Sequence, residues 1–470
     1  MKPVVVLVGR PNVGKSTLFN ALTRRRDAIV ADQPGVTRDR QYGEGRVGDR
    51  PYLVVDTGGL ATQAQGIAAL MTAQSRQAMD EADAIVFVVD GRGGPSGDDR
   101  EIAQILRRLA KPVTLAVNKT EGQEPDSAAT EFFALGLGDP LAISAAHGEG
   151  LDALMRRVLA PLPQVSEAEA LDDVPRIAVA GRPNVGKSTL VNALLGEQRV
   201  VVADQPGTTR DSIRIPLRHD DHDYILIDTA GVRRRTHVDA GVESYSVIKS
   251  LQAIGEANVV ILVLDALREV SDQDVGLAGY ILEQGRSLVL AVNKWDGLDE
   301  AQRAWIRREI ERKLSFVVFA PPHFISALES SGIAALFPAI DRAFASANAD
   351  LPTAQLNRVL EKAVQATPPP IAQRRRIKLK FAHQSGHNPP RVTIFGTQVA
   401  AVPDSYRRYL ANCFRDAFNL EGTPVRIDFK QGENPFAVKK PKRKQSPRLH
   451  ALARRDERIK KKKKQRDQAK

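Results

Sequence analysis

Lys15 and Ser16 close the segment GRPNVGKS (Gly9 to Ser16), and Lys187 and Ser188 close the same eight residues at Gly181 to Ser188. The spacing G-x-x-x-x-G-K-[ST], after an apolar run and before a helix-forming stretch, makes a loop whose backbone N–H groups converge on phosphate oxygens. The helix that follows adds its partial positive charge. Lys15 and Lys187 would reach the β- and γ-phosphates, and the hydroxyls of Ser16 and Ser188 would hold Mg²⁺. Arg10, Pro11, Asn12, Val13, Gly14 and Thr17 in one loop, and Arg182, Pro183, Asn184, Val185, Gly186 and Thr189 in the other, are expected to line the nucleotide.

Phosphate loops serve kinases, motors and switch proteins alike, so the remaining motifs must decide between them. Asp56 and Asp228 each end an apolar strand and begin DTGG and DTAG. That arrangement suits a carboxylate near Mg²⁺ and a glycine N–H (Gly59, Gly231) that senses the γ-phosphate. Thr57, Gly58 and Leu60, with Thr229, Ala230 and Val232, complete these segments. Thr37 and Thr209 lie in PGVTRD and PGTTRD and could close over Mg²⁺ when the third phosphate is present. Plain turns would use the same residue types.

The base-reading site discriminates most sharply. Asn293, Lys294, Trp295 and Asp296 place a carboxylate where two guanine N–H groups would donate to it, and adenine offers no such pair. A site built around a substrate's own donors rejects a substrate that lacks them. Ser326 and Ala327 would meet the guanine oxygen. The first copy reads Asn118, Lys119, Thr120 and Glu121, with Ser144 and Ala145 downstream. Its extra methylene moves the carboxylate by about 1 Å, enough to predict weaker or less selective guanine binding there.

These residues need elements to hold them, and the chain supplies them twice. The phosphate loops, VADQPG segments and Asp-Thr motifs recur at an offset of 172 residues, the Asn-Lys pairs at 175 and the Ser-Ala pairs at 182. Surface-loop insertions account for such drift. Within each copy, β-branched runs such as VVVLVG and VVILVLD alternate with amphipathic stretches, which predicts an α/β fold of two P-loop domains with mostly parallel sheets wrapped by helices. We expect boundaries at 1–160 and 176–348. Between them, residues 161–175 carry four acidic residues, three prolines and no basic ones, which predicts an extended tether that lets the domains move. Residues 349–436 read as a small α+β domain in the order α-β-β-α-β, with helices at Gln355–Gln365 and Ser405–Phe418 and strands at Arg376–Phe381, Arg391–Phe395 and Thr423–Phe429. Residues 437–470 hold too few apolar side chains to fold and should be disordered.

The 470 residues carry a net charge of +12, but residues 439–470 contain 16 Lys and Arg against 3 Asp and Glu, so the folded body is near neutral and the tail is basic. Such a tail, with Lys460 to Lys464 at its centre, suits sequence-blind contact with RNA phosphates, or is a solvated extension. A single cysteine, Cys413, rules out an internal disulfide and reads as a small buried apolar group in a reducing compartment. No apolar run reaches the 18 residues of a membrane span, so a cytoplasmic chain with no membrane partner is expected.

Two consecutive GRPNVGKSTL domains followed by NPPRVTIFGT, SYRRYL and EGTPVRI resemble the bacterial tandem-G-domain GTPases called Der or EngA, over about residues 2–436. The resemblance implies GTP binding and hydrolysis in assembly of the large (50S) ribosomal subunit, with that subunit and its rRNA as partners. It also implies a C-terminal K-homology-like (KH-like) domain, here without an obvious GxxG loop for clamping RNA. GTP or GDP and Mg²⁺ are the expected ligands, with Mg²⁺ held by Ser16, Thr37 and Asp56 and by Ser188, Thr209 and Asp228. Lys15, Thr37 and Gly59, and Lys187, Thr209 and Gly231, would serve turnover. A monomer is expected, since the duplication itself allows an internal pseudo-dimer.

Leu60 and Val232 stand where many small GTPases place the glutamine that orients water, and aliphatic side chains cannot hydrogen-bond, so help must come from elsewhere. Similarity to potassium-stimulated GTPases would make Asn12 and Asn184 ligands of K⁺, which could stabilise charge developing in the transition state. Local capping of the loop by each Asn is the alternative. Arg233, Arg234 and Arg235 are either a solvated basic run or a contact made when nucleotide changes. The leading expectation is a GTP-driven switch whose nucleotide state sets domain arrangement and rRNA binding. The rival is a nucleotide-locked scaffold with one inactive G domain, favoured only by Glu121; an ATPase is a weaker third reading.

Overall fold

A computed structural model describes residues 2–23, 29–31, 40–57, 73–122, 124, 129–163, 174–196, 213–228, 247–372 and 375–431. The tether at 164–173 and the tail at 437–470 therefore lie outside the described residues.

The first domain is a seven-stranded sheet built from β1 (Val4–Val8), β2 (Ile29–Ala31), β3 (Arg40–Gly45), β4 (Tyr52–Asp56), β5 (Ala84–Asp90), β6 (Val113–Asn118) and β7 (Leu141–Ile143), in the order β2-β3-β4-β1-β5-β6-β7. Helices α1 (Lys15–Thr23), α2 (Ala73–Glu81), α3 (Gly97–Arg107) and α4 (Leu151–Leu159) connect and cover it. The central pairs β1–β4, β1–β5, β5–β6 and β6–β7 are parallel, and β2 and β3 add antiparallel strands at one edge. Every residue of β1 is buried, as the apolar run requires of a strand covered on both faces.

The second domain repeats the plan with six strands: β8 (Arg176–Ala180), β9 (Ile213–His219), β10 (His222–Asp228), β11 (Val259–Asp265), β12 (Ser287–Asn293) and β13 (Pro322–Phe324), in the order β13-β12-β11-β8-β10-β9. Its helices are α5 (Lys187–Gly196), α6 (Val247–Glu256), α7 (Asp272–Glu283), α8 (Glu300–Lys313) and α9 (Leu336–Ala347). In both sheets the strand that feeds the phosphate loop lies between a strand ending in the Asp-Thr aspartate and one leading on to the Asn-Lys strand. That is where chain direction switches across an open α/β sheet, and ligands bind outside the carboxyl ends of the strands there.

The third domain consists of α10 (Thr353–Ala366), a short hairpin of β14 (Ile371–Ala372) and β15 (Arg375–Arg376), then β16 (Lys378–Gly386), β17 (Arg391–Thr397), α11 (Asp404–Ala417) and β18 (Arg426–Gln431). The α-β-β-α-β order matches the expectation. The hairpin and the length of β16 do not: the strand starts at Lys378 and runs five residues past Phe381. The expected limit falls where the apolar run ends, but pairing with β17 extends the strand through the polar residues His383 to Gly386, which the ladder satisfies. Cys413 is partly buried against the apolar core of this domain.

The two G domains do not hang apart on their tether. One apolar cluster is continuous across both, with Val4 and Leu53 from the first and Leu251, Ile254 and Tyr280 from the second. The first domain also extends past residue 160: Leu162 is buried in its core, and the Arg50 guanidinium donates to the carbonyls of Leu162 (2.8 Å) and Pro163 (2.7 Å).

Candidate functional site

In each G domain the phosphate loop wraps back on the β1 or β8 strand end. Asn12 and Asn184 hold left-handed backbone conformations, with φ of 66° and 64°, which asparagine tolerates better than most residues. Lys15 is almost wholly buried, and its Nζ donates to the carbonyls of Gly9 (2.9 Å) and Arg10 (2.8 Å). Lys187 reaches the Arg182 carbonyl at 2.6 Å. Burial lowers the Lys15 ammonium to about 8, against the opposing pull of the Asp56 carboxylate. A polyphosphate entering the loop would replace these carbonyls with stronger, charged acceptors.

Ser16 Oγ donates to Asp56 Oδ2 at 2.6 Å, so the two side chains expected to hold Mg²⁺ already converge. A hydroxyl and a carboxylate are the oxygen donors that a hard cation takes alongside substrate phosphates. Thr57 Oγ1 anchors the end of β4 on the Leu7 carbonyl at 2.9 Å. The backbone of Asp228 ends β10, as that of Asp56 ends β4. The side chain of Asp228 lies outside the described residues, as do Thr37, Gly58, Gly59, Leu60, Thr209, Thr229, Ala230, Gly231, Val232 and Arg233 to Arg235.

The residues expected to read the base are tied to the phosphate loops. Asn118 Nδ2 donates to the Val13 carbonyl at 2.8 Å, and its Oδ1 accepts from Ala145 N–H at 2.9 Å. Asn293 repeats both bonds with Val185 and Ala327, each at 2.8 Å. Gly14 and Gly186 must be glycine here: φ is 96° and 100°, and a Cβ would sit 2.3 Å or 2.2 Å from the asparagine Nδ2. Lys119 lies over the loop, donating to the Asn12 carbonyl (2.6 Å) and Asp90 (2.7 Å), and Lys294 does the same with Asn184 (2.9 Å) and Asp265 (2.7 Å).

The two sites differ at the carboxylate expected to read the base. Asp296 is exposed beside Trp295, whose ring packs on Phe324 at 4.1 Å. Glu121 instead accepts from Arg92 at 3.0 Å and from Ser144 Oγ at 3.1 Å. A backbone hydrogen bond, then Arg92 and Ser144, hold the Glu121 carboxyl below its usual range. In the second domain Leu267 replaces Arg92 at the 175-residue offset. Thr120 stands where the other site has Trp295 and bonds the Ile143 carbonyl at 3.0 Å.

Sequence reasoning missed a second tier of carboxylates. Asp99 and Asp274 are fully buried, cap α3 and α7 through Ser96 and Ser271, and pair with Arg10 (3.3 Å) and Arg182 (2.9 Å) of the phosphate loops. Asp90 and Asp265 orient the base-site lysines. All four recur at the same 175-residue offset as the Asn-Lys pairs, and that shared offset was the available signal.

A family model described as 50S ribosome-binding GTPase matches residues 4–119 and again 176–294. Another, described as the KH-domain-like C-terminal domain of EngA bacterial GTPase enzymes, matches residues 351–430. GTPase Der of Nitrosospira multiformis is 58% identical over 443 residues, covering 94% of this chain and 95% of that protein. GTPase Der of Azoarcus sp. is 55% identical over 441 residues, covering 93% and 100%. Among solved structures, the cytosolic domain of L. pneumophila FeoB is 29% identical, covering 33% of this chain and 62% of its own, with a TM-score of 0.28.

Proposed function

We propose, from the premise that the chain belongs to the GTPase Der family and is a GTP-hydrolysing enzyme, that it acts in assembly of the large ribosomal subunit, with nucleotide state setting domain arrangement and hence rRNA binding. The description of the family model matching both G domains supports the large subunit as partner. One element carries the switching part of the reading. Helix α7 has Asp274 paired with Arg182 of the second phosphate loop at its start, touches β2 of the first domain, and at its end offers the Glu283 carbonyl to Arg426 of the KH-like domain. A change at the second nucleotide therefore has a short physical path to all three domains.

In this reading Lys15 and Lys187 neutralise the β- and γ-phosphates, and the asparagine and carboxylate of each base site orient guanine. Ser16 and Asp56, and Ser188 and Asp228, would hold Mg²⁺, joined by Thr37 and Thr209; the cation supplies charge neutralisation at the transferring phosphoryl group. Gly59 and Gly231 would offer N–H groups to the γ-phosphate. Asn12 and Asn184 are exposed, and among the described residues their side chains make no hydrogen bond, which supports K⁺ coordination over local capping. The protein is read as a monomer of the cytoplasm.

The test is co-sedimentation with purified large subunits in a non-hydrolysable GTP analogue, GDP or no nucleotide, repeated after deletion of residues 437–470. Binding that requires the analogue and survives the deletion is expected. Binding indifferent to nucleotide and lost with the tail would overturn the reading. The Arg92–Glu121 contact favours a second reading, in which the first G domain is a slow or locked nucleotide site. An unchanged hydrolysis rate in Lys15→Ala would establish it.

A further inference from the structure

Helices α10 and α11 cover one face of the three-stranded sheet of the KH-like domain; on the other face, among the described residues, Arg426 at the start of β18 meets the end of α7, while Phe381 is exposed. Ala382, Val392, Ile394 and Ile427 point into that covered side and are buried. The strand register puts Phe381 opposite Phe395, and His383 opposite Thr393, on the other face. Their rings gather there: Phe381 and Phe395 are 6.4 Å apart at the centroids, and His383 and Phe395 are 5.5 Å apart and within 21° of coplanar. Phe381 is 45% exposed, although burial of an aromatic ring is among the largest apolar gains a domain of this size can make.

The charges nearest Phe381 and Phe395 are of one sign. Lys430 is in register with Phe395, and Lys378 is in register with Thr397 two residues along the same face. Lys380 sits at the bulge between Leu379 and Phe381, and Arg376 is exposed just before the strand. None of these four has a carboxylate partner among the described residues. The one carboxylate on this face among the described residues, Asp428, is 3.5 Å from Arg391.

We propose that the open face around Phe381, His383 and Phe395 is a binding site for single-stranded RNA, with unpaired bases stacking on the rings and the flanking lysines meeting the phosphates. A sheet carrying exposed aromatics between cations binds unstacked bases by their π-faces and needs no backbone-clamping loop, and the sequence of this domain contains no GxxG. A protein partner would more often meet such rings with apolar surface and a mixed-sign rim, and the described residues form no such rim. The inference rests on the rRNA reading above and names the surface and mode of contact.

The test uses the full-length chain and a short single-stranded RNA carrying 5-iodouridine, which cross-links under ultraviolet light to stacked aromatic rings, with the linked peptide mapped by mass spectrometry. Cross-links at Phe381, His383 or Phe395 are expected. At about 0.3 M salt, where contacts of the basic tail are weakened, Phe381→Ala should raise the Kd about 5- to 150-fold, the range for one lost base stack. Phe381→Trp should keep or tighten binding. Lys430→Gln should flatten the slope of log K against log salt by about 0.7. Cross-links confined to residues 437–470, or a Kd unmoved by Phe381→Ala, would overturn the site. So would a dimer in sedimentation that Phe381→Ala abolishes, which would make the face a contact between two copies. Failure of the ribosome reading is separable: it shows as absent large-subunit co-sedimentation while the Phe381-dependent oligonucleotide binding persists.

Discussion

Asn293 and Val185 are joined by a 2.8 Å hydrogen bond from the asparagine amide to a carbonyl of the loop before α5, so the end of β12, proposed to read the base, is tied to the loop proposed to hold the phosphates. Asn293→Ala would leave that buried carbonyl and the Ala327 N–H unpaired, at about 1–3 kcal/mol each. The expected result is a loss of at least about tenfold in affinity for a fluorescent GTP analogue at the second site, measured with Lys15→Ala silencing the first. An affinity unchanged from the parent would show that the bond shapes nothing the nucleotide needs.

Glu121 is held by Arg92 and Ser144 where Asp296 stands exposed. Replacing Arg92 by Leu, the residue at the matching position 267, removes an exposed competitor of guanine. Contacts of that kind are weak, so affinity for GTP at the first site should rise only about two- to fivefold. Glu121→Asp should improve selectivity for GTP over ATP as well. Competition titrations in a Lys187→Ala background read both, and a fall in affinity for either variant would count against the comparison.

Burial holds the Lys15 ammonium near 8, well below its usual value. In the proposed role the charged form binds phosphate, so affinity at the first site is expected to be complete below that value and to fall as pH rises through it. Between pH 7 and 8.5 the Kd should weaken about fourfold. For the nucleotide-free chain the sign reverses: the unfolded state holds this proton up to higher pH, so the lysine's contribution to stability grows as pH rises from about 8 towards its ordinary value. Calorimetric titration at the two pH values in the Lys187→Ala background checks the first statement, and a flat profile would refute it.

Lys2 joins the two G domains by donating to Glu44 and to Gln284, both at 2.6 Å. Although burial opposes it, the hydrogen bond and charge of Lys2 leave the Glu44 carboxyl below its usual range. The bridge is therefore present at neutral pH and lost as pH falls through the carboxylate range. Glu44→Gln should weaken domain docking by about 1 kcal/mol at pH 7 and enlarge the radius of gyration in small-angle scattering. A radius equal to that of the parent at pH 7 would mean that the apolar contacts suffice.

Gly285, at the turn after α7, has φ of 73° and lies where a Cβ would meet Pro389 at 2.9 Å and Arg426 at 3.0 Å. Gly285→Ala should loosen the KH-like domain from the second G domain while leaving GTP affinity at both sites within about twofold, since neither phosphate loop is touched. Hydrogen exchange at β18 reads the first effect, and unchanged protection there would exclude the contact as a determinant of docking.

The two mostly parallel sheets, the loops that run from β1 into α1 and from β8 into α5, and the α-β-β-α-β order of the last domain were legible along the chain. Each is written in a local spacing or an apolar run whose physics does not depend on distant residues. Other features exist only once the chain has folded. Arg92 lies 29 residues from Glu121 and is brought beside it by the parallel pairing of β5 with β6. Phe381 and Phe395 share an open face because a bulge sets their register. Helix α7 reads as one amphipathic segment among many, yet it touches all three domains. Docking of domains follows from how their surfaces fit, and surface fit leaves no periodic trace along a chain.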